Sequence, residues 1–330
     1  MLITKKIITT TLLLTAITSL SFAKPKNKKT KAAGNTSTIK IVTTIFPEYD
    51  WAREIIGTQS DNTELTLLMN NGTDLHSYQP SIQDIAKIST ADIFIYVGGE
   101  SDGWVKDALT NVRNKNIIAL NLMEILGDKV REEEIIEGMQ GEEEEEDEEE
   151  EIEYDEHVWL SLRNAKICCN AICQALCKTA PENAASYKTN LEVYSKKLDD
   201  LDKSISQTVS ASKQKTLLFG DRFPFRYFVD DYGLNYYAAF VGCSAETEAS
   251  FETIIFLAKK VDELDLNSVC QIESGTGKIA STIIQSSKNK KAEILTFDSM
   301  QSVNSTDIKN GTTYLNIMQK NLEILKKALR

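Results

Sequence analysis

Short β-branched apolar runs alternate with amphipathic segments of helical period along most of the chain. Residues 40–46 (KIVTTIF), closed by Pro47, predict a strand, and 49–57 predict a helix stopped by glycine. Residues 64–69 predict a second strand, followed by the Asn70-Asn71-Gly72 turn and a loop over 73–80. A short amphipathic helix over 81–89 precedes residues 92–97 (DIFIYV), a continuous apolar strand of the buried parallel type. A helix over 104–113 and a fourth strand over 117–120 complete this half.

Residues 181–212 differ in kind. Tyr187, Leu191, Tyr194, Leu198, Leu201, Ile205 and Val209 recur at spacings of three and four, the seam of one helix. About 30 residues rising about 1.5 Å each span roughly 45 Å, more than a small domain is wide, so the helix is expected to brace two lobes. A dimerising coiled coil is the alternative, but two tyrosines interrupt the seam over few heptads, so a monomer is expected.

Beyond this helix the alternation resumes. Strands are predicted at 216–219, 234–240, 268–272 and 294–297, with helices at 226–231, 251–261, 278–286 and 313–329. The fold class expected is α/β: two lobes, each a parallel sheet flanked by helices, joined by one long backbone helix. The lobes are placed at 38–180 and 213–330.

The formal charge of −12 is localised, because 17 of the 49 acids fall between Glu132 and Glu156. Ten consecutive acids, Glu142 to Glu151, repel one another and are expected to form a solvated loop within 132–156. The remaining body is near neutral and has no basic patch to track phosphates, which argues against nucleic acid as a partner. At the N-terminus, Lys5-Lys6, the apolar residues 7–20 and Ser21-Phe22-Ala23 read as a secretory signal over 1–23. A basic leader over 24–37 follows. A retained membrane anchor is disfavoured because five threonines dilute a short apolar stretch. Export to the periplasm or cell surface is therefore expected.

The chain has six cysteines and two histidines. Cys168, Cys169, Cys173 and Cys177 share one apolar helical segment, where bridges are geometrically poor and buried thiols are expected. Cys243 and Cys270 lie in the second half, and the sequence leaves their pairing open. His157 ends the acidic segment, directly after Asp155 and Glu156, as though a cation gathered by charge were handed to a nitrogen ligand. The alternative is an acidic insertion beside a surface histidine. His76 lies in the 73–80 loop after a strand end, the edge where open parallel sheets place ligands. From the second lobe Asp221, Asp298, Cys243, Glu246 and Glu248 all follow strands, where such residues also serve as ordinary turn and cap positions.

Several segments carry a family likeness: IVTTIFPEYDWAREIIG, NGTDLHSYQPSIQDIAKISTADIFIYVGG, DEHVWLSLRNA after the acidic run, FRYFVDDYGL and YLNIMQKNLEILKKAL. In order and spacing the chain resembles the extracytoplasmic solute-binding proteins of zinc and manganese ABC importers. The resemblance implies one metal in a cleft between two lobes and a membrane permease as partner. It puts His76 and His157 on the first two histidine ligands and Asp298 on the carboxylate ligand. The family's third ligand position here reads Gly220, which has no side chain to coordinate. The third donor is then Asp221, Glu246, Cys243 or water. Glu248 and Ser250 look like a helix-capping turn of the family.

Two imidazoles with carboxylates suit zinc first and manganese second, since zinc has the higher intrinsic affinity for such donors. The expected activity is capture and delivery of one ion, without catalysis. A secreted metalloenzyme would need an activated water and a general base, and no His-Glu-x-x-His or comparable cluster occurs. A metal-binding surface adhesin is the remaining alternative.

Overall fold

The computed structural model describes residues 38–141, 153–244 and 248–330. The expected signal and leader, the run of acids from Glu142 to Glu151, and Glu246 lie outside the described residues.

The first lobe is a four-stranded parallel sheet built from β1 (Ile39–Thr43), β2 (Thr63–Leu67), β3 (Ile93–Tyr96) and β4 (Ile118–Asn121), in the order β2-β1-β3-β4. Parallel neighbours require crossovers, which α1 (Phe46–Ile56), α2 (Ile82–Ser89) and α3 (Val105–Thr110) supply. Each start is legible in the sequence. Glu48 accepts from the backbone N–H groups of Thr44 and Ile45 at the head of α1, and Ser81 with Asp84 forms a capping box on α2. Two helices, α4 (Leu122–Leu126) and α5 (Leu162–Thr179), complete this lobe. The cysteine-bearing segment is α5, and Cys168, Cys169 and Cys173 are buried in it. All six cysteines are unpaired.

The expected long helix is α6 (Ala184–Ala211), preceded by a 3-10 turn at Pro181–Asn183 rather than starting at the proline. Tyr187, Tyr194, Leu198, Leu201, Ile205 and Val209 form its buried seam. It packs against α1 and α5 of the first lobe and against α7 (Arg226–Tyr232) and α11 (Tyr314–Ala328) of the second.

The second lobe repeats the plan. Strands β5 (Thr216–Phe223), β6 (Asn235–Val241), β7 (Ser268–Ile272) and β8 (Glu293–Phe297) pair in parallel in the order β6-β5-β7-β8. Helices α8 (Phe251–Glu263) and α9 (Lys278–Ser286) cover one face, and α10 (Ser305–Lys309) precedes α11. As the family likeness suggested, Ser250 caps α8 by accepting from Thr253 N–H.

One continuous apolar core runs from Ile39 in β1 to Leu329 after α11, with a second cluster between the second sheet and α8 and α9. The lobes are also stitched by specific bonds. Tyr314 N–H donates to Asp50, and its hydroxyl donates to the Trp159 carbonyl, while the Trp51 and Tyr314 rings meet edge to face. Each fully buried large apolar side chain contributes about 1.5–3 kcal/mol. The two lobes thus share one core.

Candidate metal centre

The candidate residues lie on loops of both lobes, and buried apolar neighbours pin the two that carry the histidines. Leu75 is buried beside His76 in a 3-10 turn that Asp74 caps by accepting from His76 N–H at 3.1 Å. Val158, Trp159 and Leu160 are buried in a second 3-10 turn directly after His157. His157 itself is fully buried, so the picture of a surface histidine does not hold.

The two imidazoles face each other with Nε2 atoms 3.1 Å apart. Their other nitrogens are engaged. His157 Nδ1 lies 2.9 Å from the Asp155 carboxylate, which also accepts from His157 N–H. His76 Nδ1 lies 2.9 Å from the Ser101 hydroxyl and 3.3 Å from Glu156 Oε2; the shorter contact is the hydrogen bond, the longer an ion-pair distance. Asp155 can only accept, so the proton of His157 sits on Nδ1; the same assignment suits His76, whose Nδ1 faces an acceptor hydroxyl and a carboxylate. Both Nε2 atoms then present lone pairs to one another. Two lone pairs at that separation repel unless a proton or a metal ion lies between them.

Two glycines make the closeness possible. Gly99 has φ +79°, and a side chain there would fall on Glu156 Oε1, the atom that accepts from Ser101 N–H. At Gly242 a Cβ would come within 3.0 Å of His157 Cε1. Burial by itself would raise the Glu156 carboxyl, but the nearby His76 imidazole and the hydrogen bond from Ser101 outweigh it and hold the group below its ordinary range.

The second lobe brings Cys243 and Gln301. Cys243 follows β6, and its ligand atom joins those of His76 and His157 in a group lying within 4.8 Å of one another. Burial first, then the charges of Asp155, Glu133 and Glu156, push its thiol well above the ordinary range. Gln301 is buried, with Nε2 3.5 Å from His157 Nε2 and Oε1 without a protein partner. Its loop is fixed from two sides. Glu273 accepts from the N–H groups of Ser299, Gln301 and Ser302 and from the Ser299 hydroxyl, and the Trp159 indole donates to the Ser299 carbonyl at 2.9 Å.

The other sequence candidates lie elsewhere. Asp298 accepts from Met300 N–H and is not part of the gathered group; burial and the neighbouring Glu273 charge push it up to about 6. Asp221 accepts from Ile272 and Arg222 N–H, because β5 runs on through Gly220 to Phe223 instead of ending at Phe219. The same extension lets Arg222 pair across the lobes with Asp74, the residue that caps His76. Gln301 is not among the sequence candidates; its only sequence signal is its place in the loop after β8.

Beside His76 opens a cavity of about 380 Å³, lined by residues of both lobes, with Ser101, Glu133, Glu156 and Cys243 on its wall. Imidazole, thiol and carboxylate groups converging on such a cavity can hold a borderline transition metal.

Residues 41–328 match the family model described as zinc-uptake complex component A, periplasmic. The chain is 29% identical over 300 residues to the zinc-binding protein AdcA of Streptococcus pyogenes, covering 87% of this chain but only 55% of that protein. It therefore spans about half the length of the AdcA relatives. The high-affinity zinc uptake system protein ZnuA of Bacillus subtilis is 28% identical over 311 residues, covering 90% of this chain and 93% of that one. Among solved structures, the Zn(II)-bound ZnuA-like domain of Streptococcus pneumoniae AdcA superposes with a TM-score of 0.68 at 26% identity, over 89% of this chain and 99% of that domain.

Proposed function

The chain belongs to the periplasmic zinc-uptake complex component A family, and from that premise we propose that it is the extracytoplasmic solute-binding component of a metal ABC importer. It binds one Zn²⁺ between its lobes and delivers it to the membrane permease. The observation that carries this reading is the His76–His157 pair, whose Nε2 atoms stand 3.1 Å apart. Asp155 and the Ser101–Glu156 pair orient the rings, so the donors are pre-set and little ordering is paid on binding.

Capture proceeds in two stages. The acidic run raises the local concentration of cations in a salt-sensitive way. The ion then passes the cavity beside His76, where Glu133 and Glu156 favour positive charge, and is held by the two imidazoles and donors of the second lobe. The shared core and α6 restrict the lobes to small motions, so loading changes local order at the loops more than the angle between lobes. The protein binds and releases; it does not turn over a substrate. It works outside the cytoplasm, consistent with the signal read in residues 1–23, and no described helix is long and apolar enough to cross a membrane.

A zinc titration by calorimetry tests this. One ion per chain is expected, with affinity reduced by more than about 100-fold in His76→Ala and in His157→Ala. Near-normal binding by either variant removes that histidine from the site.

A further inference from the structure

We propose that the centre is a thiolate site: Cys243 supplies the third donor and the amide oxygen of Gln301 faces the fourth side, so the protein selects thiophilic ions and rejects manganese. The inference rests on the reading of His76 and His157 as the cation-holding pair.

Three observations carry it. First, the ligating atoms of His76, His157 and Cys243 already lie within 4.8 Å of one another. An ion bound to nitrogen at about 2.0 Å and to sulfur at about 2.3 Å draws its donors closer together than that bound. Second, Gln301 Oε1 is buried without a protein partner, an arrangement that costs about 1–3 kcal/mol unless something positive faces it. The same amide reaches the imidazole pair, its nitrogen lying 3.5 Å from His157 Nε2. Third, the described carboxylates of the second lobe that the sequence pointed to each have another partner: Asp221 accepts from Ile272 and Arg222, Asp298 from Met300 and Glu248 from Lys278, and none of them joins the group of His76, His157 and Cys243.

Two imidazoles, one thiolate and a neutral amide form a soft donor set. It suits zinc and cobalt and matches the His₂Cys arrangement with a weak amide donor found at copper sites, whereas manganese prefers oxygen. Binding breaks the Cys243 S–H bond, forms a sulfur–metal bond and releases one proton to solvent for each ion taken up.

Cobalt(II), redox-stable and spectroscopically visible, is the probe. The apo protein titrated with Co²⁺ is expected to develop a thiolate-to-cobalt charge-transfer band at one equivalent. The band is absent in Cys243→Ser and retained in Cys177→Ser, whose sulfur lies on α5. Zinc affinity falls about 10–100-fold in Cys243→Ser, and excess Mn²⁺ fails to displace cobalt. X-ray absorption at the zinc edge of the loaded wild-type protein gives a second reading independent of any variant, with one sulfur neighbour expected. Stoichiometric binding of cobalt or zinc with only nitrogen and oxygen neighbours overturns the thiolate site while leaving the importer reading intact. Failure of the wild-type protein to bind either ion overturns both.

Discussion

His76 and His157 are separated by 81 residues, yet their Nε2 atoms stand 3.1 Å apart, each ring oriented by an acidic neighbour on its far side. The arrangement turns both Nε2 atoms toward one another. From it follow expectations about the residues behind the ligands as much as about the ligands themselves.

Asp155 holds His157 in the tautomer that leaves Nε2 bare. Asp155→Asn is expected to lower zinc affinity about 10–100-fold while leaving one ion per chain, as loss of an outer-shell partner does. Isothermal titration checks it, and an unchanged affinity would show that the ring needs no such partner.

Gly99 lets Glu156 reach His76. Gly99→Ala brings a methyl group onto that carboxylate at a backbone angle alanine resists. The expected cost is about 1–3 kcal/mol of stability, read by denaturant unfolding, together with weaker zinc binding. Loss of stability with full affinity would separate the fold's need for Gly99 from the site's.

Glu48 sits at the head of α1, fully buried, and burial with the Asp102 charge raises its carboxyl from 4.5 to about 8. The folded state thus holds this proton more tightly than the unfolded state. Its stabilising contribution is complete below pH 4.5 and disappears as pH rises through 8. Glu48→Gln, which keeps an acceptor for Thr44 and Ile45, is expected to flatten that fall and to be the more stable protein at pH 9. Thermal melts of both proteins from pH 5 to 9 give the comparison, and parallel curves would refute it.

Deleting residues 142–151 removes ten acids. Zinc association is expected to slow at low salt and to lose most of its salt dependence, with equilibrium affinity kept within about tenfold. Stopped-flow mixing at two ionic strengths measures this; a rate independent of the deletion would leave the acidic run without a part in capture.

Much of the architecture was legible because it rests on periodicity. The β-branched runs became β1 to β8, and the seam from Tyr187 to Val209 became α6. Both histidines stood out by scarcity. The opposite wall was harder to read, because carboxylates after strands have ordinary uses and two of them are put to those uses: Asp221 holds Ile272, and Asp298 holds Met300. Where β5 ends decided the difference. Four further residues of strand carry Arg222 to Asp74 instead of leaving Asp221 at a loop tip. Cys243 could be ranked only by what converges on it, and Gln301 became visible only through its buried, unpartnered oxygen.

The central claim is that a metal ion lies between the two imidazoles. Diffraction from crystals of protein purified without chelators, recorded on both sides of the zinc absorption edge, tests it most directly. The account predicts a single anomalous peak within about 2.0–2.1 Å of both His76 Nε2 and His157 Nε2. Zinc bound elsewhere on the chain, with the rings still facing each other across an empty gap, would contradict it.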